Sequence, residues 1–217
     1  LELLHPVELS PGIQCIMDGV KTPAPTEPQG VLTIHLARSY SFGTGGHPAT
    51  RAALYALLTR CFWHINEENL HFLAGKRLLD YNCGSGILGI VLKKIFPGLD
   101  VWLAPGVHDW ETAEMNNKVN GEEIKNLWVC DSDTTPTKLK RSFDYVLSHG
   151  GADSGIPEMA TLTKQRGTIV LSGHEAHQSG DLQLDLMEWA HNVSVFDVEN
   201  WLVLVGEKSD ERTGGTL

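Results

Sequence analysis

Between residues 77 and 207 the chain alternates short apolar runs with longer stretches in which apolar side chains recur every three to four positions. The runs predict strands over 77–81, 100–103, 127–130, 143–148 and 168–172. The stretches between them predict helices over 87–96, 109–119, about 156–164 and about 182–191. Strands joined by helical crossovers imply a parallel sheet covered on both faces. The last two apolar runs, 193–198 and 201–207, are separated only by Glu199 and Asn200, a gap that makes an antiparallel hairpin. The pattern therefore predicts an α/β fold: seven strands, mostly parallel, ending in one antiparallel hairpin.

Upstream, a strand is expected over 31–37 and a helix from Pro48 to about residue 65, where Ala52, Ala53, Ala56, Leu57 and Phe62 keep helical spacing. Pro48 suits a first helical turn, whose N–H groups have no intrahelical partner. Residues 1–30 carry five prolines and little periodicity, and read as an extended lead-in. The expected division is a lead-in over 1–30, one domain over 31–208 and a disordered tail over 209–217. Trp102, Trp128 and Trp201 fall in predicted strands and are expected in the core.

A chain of 217 residues at 41% hydrophobic and 20% charged is ordinarily globular, with no apolar run long enough to cross a bilayer. Its net charge of −10 and pI near 5.4 argue against a broad grip on nucleic acid and favour a basic protein partner. Cys15, Cys61, Cys83 and Cys130 form no CxxC pair, which points to a reducing compartment, cytoplasm or organelle matrix. The first residue is Leu1 rather than methionine, so a longer parent chain is expected.

Candidate chemistry concentrates in two segments. Leu78-Leu79-Asp80-Tyr81-Asn82-Cys83-Gly84-Ser85-Gly86-Ile87-Leu88-Gly89 reads as strand, glycine turn and helix, the arrangement that lets a nucleotide-type ligand approach backbone N–H groups at a strand's carboxyl end. Gly84, Gly86 and Gly89 also spell GxGxxG, so a dinucleotide-dependent oxidoreductase is a rival reading. Asp80 favours a cationic ligand, because a carboxylate ahead of the turn would repel a pyrophosphate. The second segment, Phe42-Gly43-Thr44-Gly45-Gly46-His47-Pro48-Ala49-Thr50, is a glycine-rich loop offering hydroxyls and an imidazole. His174 and His177 could share a helix face, but HExxH is not matched, and a solvated helix start is expected rather than a metal site.

FGTGGHPAT resembles the FGTGxHxTT signature of the ribosomal-protein lysine methyltransferases of the PrmA type. LLDYNCGSGILGI, RGTIVLSG and NWLVLVGEK are similar to further motifs of that family, in the same order, from about Val31 to Lys208. The resemblance implies a Rossmann-like class I methyltransferase fold, S-adenosylmethionine as cofactor, and a lysine or amino-terminal amine of a ribosomal protein as acceptor. It implies that Phe42, Gly43, Thr44 and His47 cover the methyl donor, that Asp80, Asn82, Gly84 and Gly86 hold its amino-acid end, and that Asp131 meets the adenine amino group. The family's separate small amino-terminal domain has no counterpart here.

The pattern departs in three places. Asn82 replaces the first glycine of the turn. Ala104, followed by Pro105, stands where the family places an acid for the ribose hydroxyls, with Asp109 the nearest carboxylate that could reach round. His149 in DYVLSHGG replaces the asparagine that orients the acceptor amine, and it is the candidate catalytic residue, able to accept an amine hydrogen or take its proton. Trp110 offers a ring that could stack near the adenine. Two readings stay open: an active protein methyltransferase, or a catalytically inactive scaffold or assembly factor that keeps the fold.

Overall fold

The computed structural model describes residues 7–10, 13–16, 31–36, 46–66, 68–121, 123–130, 137–150 and 155–210. Within the stretch expected as a lead-in lie two strands, β1 (Val7–Ser10) and β2 (Ile13–Ile16). They pair antiparallel, and β2 runs parallel to β3 (Leu32–His35), making a separate three-stranded sheet. Prolines at 6 and 11 bound these strands without interrupting them, which is why proline density misled the sequence reading.

Helix α1 (Pro48–Ala56) starts at His47, whose Nδ1 accepts a hydrogen bond from the Ala49 N–H at 3.2 Å. It ends earlier than expected, because Leu57–Cys61 loosen into one π turn. The main sheet then follows as β4 (Arg77–Tyr81), α2 (Ile87–Ile95), β5 (Asp100–Ala104), α3 (Trp110–Val119) and β6 (Asn126–Leu127). It continues with β7 (Phe143–His149), α4 (Ile156–Leu162), β8 (Thr163–Glu175), α5 (Ser179–Met187), β9 (Ala190–Val198) and β10 (Trp201–Lys208). Strand order is β6-β5-β4-β7-β8-β10-β9, with β10 antiparallel to both neighbours. This is the seven-stranded sheet with a terminal hairpin that the hydrophobic pattern predicts.

The two sheet faces bury separate apolar layers, because successive side chains on a strand point to opposite sides. Leu78, Val101, Leu103, Leu147, Val170 and Val203 pack with α1 and α2 on one side. Leu79, Val146, Ile169, Leu171, Leu202 and Leu204 pack with α4 and α5 on the other. Trp102, Trp128 and Trp201 are half-buried against these layers, and Trp128 lies past the end of a β6 that is only two residues long. Among the described residues no helix is long and apolar enough to cross a membrane.

Candidate active site

The parallel strands end at one edge, and the glycine turn leaves β4 there. Asn82, Gly84 and Gly86 have φ of 54°, 52° and 76°, the left-handed region. Asparagine is among the few side-chain-bearing residues that visit it readily, so Asn82 preserves the turn that a glycine would make. Two residues before it, Asp80 is fully buried, and its Oδ2 accepts the Gly89 N–H at 2.8 Å. Gly89 is required by packing: a Cβ there would meet Leu103 Cδ2 at 2.5 Å and Asp80 Oδ2 at 3.2 Å, so α2 lies directly on β5. The other carboxylate oxygen, Oδ1, is buried with no hydrogen-bond partner among the described residues. Burial pushes the Asp80 carboxyl up to about 8, against the Gly89 hydrogen bond that favours its ionised form.

At the end of β5, Ala104 is buried and its carbonyl accepts the Cys83 N–H at 3.2 Å. Just beyond, two side-chain oxygens flank Gly106: Asn82 Oδ1 and Asp109 Oδ2 each lie 3.7 Å from the point a Cβ on Gly106 would occupy. The gap over that glycine is bordered by one amide oxygen and one carboxylate. Asp109 is half-buried and precedes α3, and Trp110, the first residue of that helix, is half-buried beside it.

His149 ends β7 and is committed on both ring nitrogens. Its Nδ1 lies 3.0 Å from Ser172 Oγ, and its Nε2 lies 3.1 Å from Thr50 Oγ1. The Ser172 hydroxyl donates to the Ser148 carbonyl at 3.1 Å, which uses its only proton. Making both bonds at once requires that Nδ1–H donate to Ser172 Oγ. Nε2 is then the acceptor, and Thr50 donates to it. The result is a directed relay, Thr50 to His149 to Ser172 to the Ser148 carbonyl, joining α1, β7 and β8. Burial, then the nearby His47 and His174 rings, lower the imidazole to about 4, so it is neutral at pH 7.

His47 stands at the start of α1 with its ring edge-on to Trp201, centroids 4.7 Å apart. Burial, then the Arg51 guanidinium, lower its pKa. His174 belongs to β8 and is buried, whereas His177 is exposed with Nδ1 3.3 Å from Glu175; the expectation of two histidines on one solvated helix face is corrected, because β8 runs on to residue 175. Among the described residues no group of three or more His, Cys, Asp or Glu could hold a metal ion.

Of the residues singled out in the sequence, the structure brings Asp80, Asn82, Gly84, Gly86 and His149 to the carboxyl edge of the sheet, with His47 at the start of the adjoining α1. Phe42, Gly43, Thr44 and Asp131 lie outside the described residues. Ser172, inside the RGTIVLSG motif, and Thr50, a hydroxyl of the glycine-rich loop, are functional positions that the sequence does not reveal, because nothing in their spacing ties them to position 149. Tyr81, which donates to Glu158 Oε2 at 2.8 Å beside the same edge, also carried no sequence signal.

The model of one family, ribosomal protein L11 methyltransferase (PrmA), matches residues 1–209. The chain belongs to this family. Among curated relatives, the ribosomal protein L11 methyltransferase of Neisseria meningitidis is 34% identical over 186 residues, 83% of this chain and 57% of that protein. The namesake from Cupriavidus pinatubonensis is 28% identical over 84% of this chain and 56% of its own length. The chain thus spans a little over half of these relatives. Among solved structures, a ribosomal protein L11 methylase from Lactobacillus delbrueckii superposes with a TM-score of 0.68 at 19% identity, covering 94% of this chain and 98% of that one. A tRNA (m1A58) methyltransferase from Aquifex aeolicus gives a TM-score of 0.57 at 19% identity over 76% of this chain and 70% of that one. Both share the family's class I methyltransferase fold.

Proposed function

We propose that the chain binds S-adenosylmethionine at the 82–86 turn and methylates a lysine or amino-terminal amine of a ribosomal protein, residues 31–208 forming the catalytic domain. The observation that carries this reading is the buried Asp80 with an orphaned Oδ1 directly before a left-handed glycine turn. A buried acceptor without a partner costs about 1–3 kcal/mol, a deficit that a cationic ligand at the turn offsets, directly or through water. S-adenosylmethionine supplies the electrophilic methyl group. Asn82 Oδ1 and Asp109 Oδ2 border the gap over Gly106, where the ribose hydroxyls need acceptors that Ala104 lacks. Asp109 takes over from the missing acid, from the next helix instead of the strand. Phe42, Gly43, Thr44 and His47 cover the donor, Gly84 and Gly86 hold it, and Asp131 meets the adenine.

His149 serves this reaction by position. An imidazole at about 4 is roughly six powers of ten too weak a base to hold the proton of a lysine ammonium, whose ordinary pKa is near 10.4. Its Nε2 lone pair also already accepts from Thr50. The ammonium proton therefore leaves to water, and the relay fixes the rim of the acceptor site so that the amine can approach in line. A net charge of −10 suits a basic ribosomal protein, and cysteines at 15, 61, 83 and 130 that form no CxxC pair suit a reducing compartment, cytoplasm or organelle matrix.

The same engagement of His149 favours a second reading, an inactive scaffold that keeps the fold. The two separate in one experiment: incubation with methyl-labelled S-adenosylmethionine and unmethylated ribosomal proteins, read by mass spectrometry. The enzyme reading expects methyl groups on amines of one protein and none with Gly86→Val. Donor binding without transfer to any ribosomal protein would favour the scaffold.

A further inference from the structure

Helix α3 is held to the domain more by amides than by apolar side chains. Its buried residues are Ala113, Asn116 and Asn117, and Asn120, which closes it, is buried too. Asparagine is a weak helix former, and its amide is costly to bury unless its donors and acceptor are met. Each of the three amides bonds the backbone of a different segment. Asn116 Nδ2 donates to the Ser85 carbonyl at 2.9 Å. Asn117 bonds Ile124 in both directions, Nδ2 donating to its carbonyl at 2.7 Å and Oδ1 accepting its N–H at 3.1 Å. Asn120 does the same with His35, 85 residues away in sequence, donating to its carbonyl at 2.6 Å and accepting its N–H at 3.0 Å. Asn120 Nδ2 also donates to the Asn116 carbonyl at 2.7 Å, so both hydrogens of that amide and its oxygen are engaged.

The segments so joined carry the candidate cofactor site. Ser85 lies between Gly84 and Gly86, inside the left-handed turn that follows β4. His35 ends β3, the strand that precedes Phe42, Gly43 and Thr44 in sequence. The helix itself starts directly after Asp109, whose Oδ2 borders the gap over Gly106. Apolar contacts are non-directional and would let a helix slide along its seat, whereas hydrogen bonds to fixed backbone groups hold it in one register. The Asn116–Ser85 bond therefore sets the spacing between the turn and α3, and with it the place of Asp109. Through Asn120 the same linkage runs on to the small sheet: Ser85, Asn116, Asn120 and His35 form one continuous chain of bonds.

Resting on the reading of that turn as the cofactor site, we propose that Asn116 and Asn120 are positioning residues for the cofactor. They act through Ser85 and Asp109, and they couple the turn to β3. Such coupling is reciprocal: a ligand that settles the turn tightens β3, and a loosened β3 weakens the ligand. Amides with a merely structural role would stabilise free and bound protein alike.

The test is titration calorimetry with S-adenosylhomocysteine beside hydrogen-exchange mass spectrometry of the whole chain, free and bound. In the wild type the ligand is expected to slow exchange both at residues 84–90 and at 32–36. Asn120→Ala should bind about tenfold more weakly, within the range for residues that couple without touching the ligand, and should keep the protection at 84–90 while losing it at 32–36. Asn120→Asp, which keeps the acceptor for the His35 N–H but neither donor, should behave likewise and is read if the alanine variant does not fold. Asn116→Ala should weaken binding by a similar factor. Leu186→Ala, buried under α5 on the other face of the sheet, is the control: it should lower the melting temperature and leave both affinity and protection unchanged. A wild type that binds no S-adenosylhomocysteine at millimolar concentration overturns the cofactor reading and this inference together. Binding without protection at 32–36 in the wild type, or folded Asn116 and Asn120 variants with unchanged affinity, overturns this inference alone.

Discussion

The buried Asp80 and the half-buried His149 are the titratable side chains at the heart of the site, and they respond to pH in opposite senses. His149 sits at about 4 when folded, below its ordinary 6.5, so the unfolded chain holds the extra proton between those values. Its contribution to stability is full above about pH 6.5 and is lost as pH falls toward 4. Asp80 sits at about 8, above its ordinary 3.8, so there the folded chain holds the extra proton, and the contribution is lost progressively as pH rises between those values. Between pH 4 and 6.5 the two slopes oppose each other, so urea unfolding is expected to show a nearly level stability there and a fall from about 6.5 to 8. Asp80→Asn should uncover the His149 rise and abolish the fall, whereas His149→Asn should extend the fall down to about pH 4. Binding of a cationic cofactor near Asp80 should release a proton at pH 7, seen as a buffer-dependent heat in titration calorimetry and absent in Asp80→Asn. Asp80 was legible by its place ahead of the glycines, Asn82 and His149 only as departures from the motifs of the family that the chain resembles. Their environments were not, because the partners of His149 come from positions 50 and 172, and only the fold brings them together.

Thr50 ties helix α1 to His149 at the sheet edge. Thr50→Val leaves the Nε2 of His149 without that donor and should cost about 1–3 kcal/mol in thermal unfolding, whereas Thr50→Ser should be nearly neutral. The crossing of β7 and β8 beside it is tighter still. Gly173 has φ of 83°, and a Cβ there would meet the Gly150 backbone N at 2.5 Å and Cα at 2.9 Å. Gly173→Ala is therefore expected to lower stability by more than about 3 kcal/mol, through both strained φ and a backbone clash. The sequence reading placed every helix and strand of the main sheet and missed chiefly at their limits. β8 extends from 163 to 175 rather than 168–172, because its polar outer residues carry no apolar signal yet still pair with β7 and β10. β6 shrinks to two residues at the sheet's outer edge, where pairing on one side only gives little reason for a longer strand. β1 and β2 went unseen because four-residue strands between prolines leave no window long enough for a period to register.

At the scale of the molecule the two ends of the sheet have separate characters. The carboxyl edge holds the left-handed turn, the orphaned Asp80 oxygen and the His149 relay; the amino edge holds ion pairs, Lys76 and Lys164 on Asp144 and Arg77 on Asp100. Class I architecture follows from strand order and needs no chemistry to be intact, so the central claim is about occupancy: the altered site still holds its cofactor, with Asp109 in place of the acid missing at Ala104. Isothermal titration of the folded chain with S-adenosylhomocysteine tests this most directly, beside Asp109→Ala. The account predicts a dissociation constant below about 100 μM, weakened roughly ten- to a hundredfold in the variant, as the loss of about 1–3 kcal/mol implies. No heat at millimolar ligand with a cooperatively folded protein, or equal affinity in the variant, would contradict it.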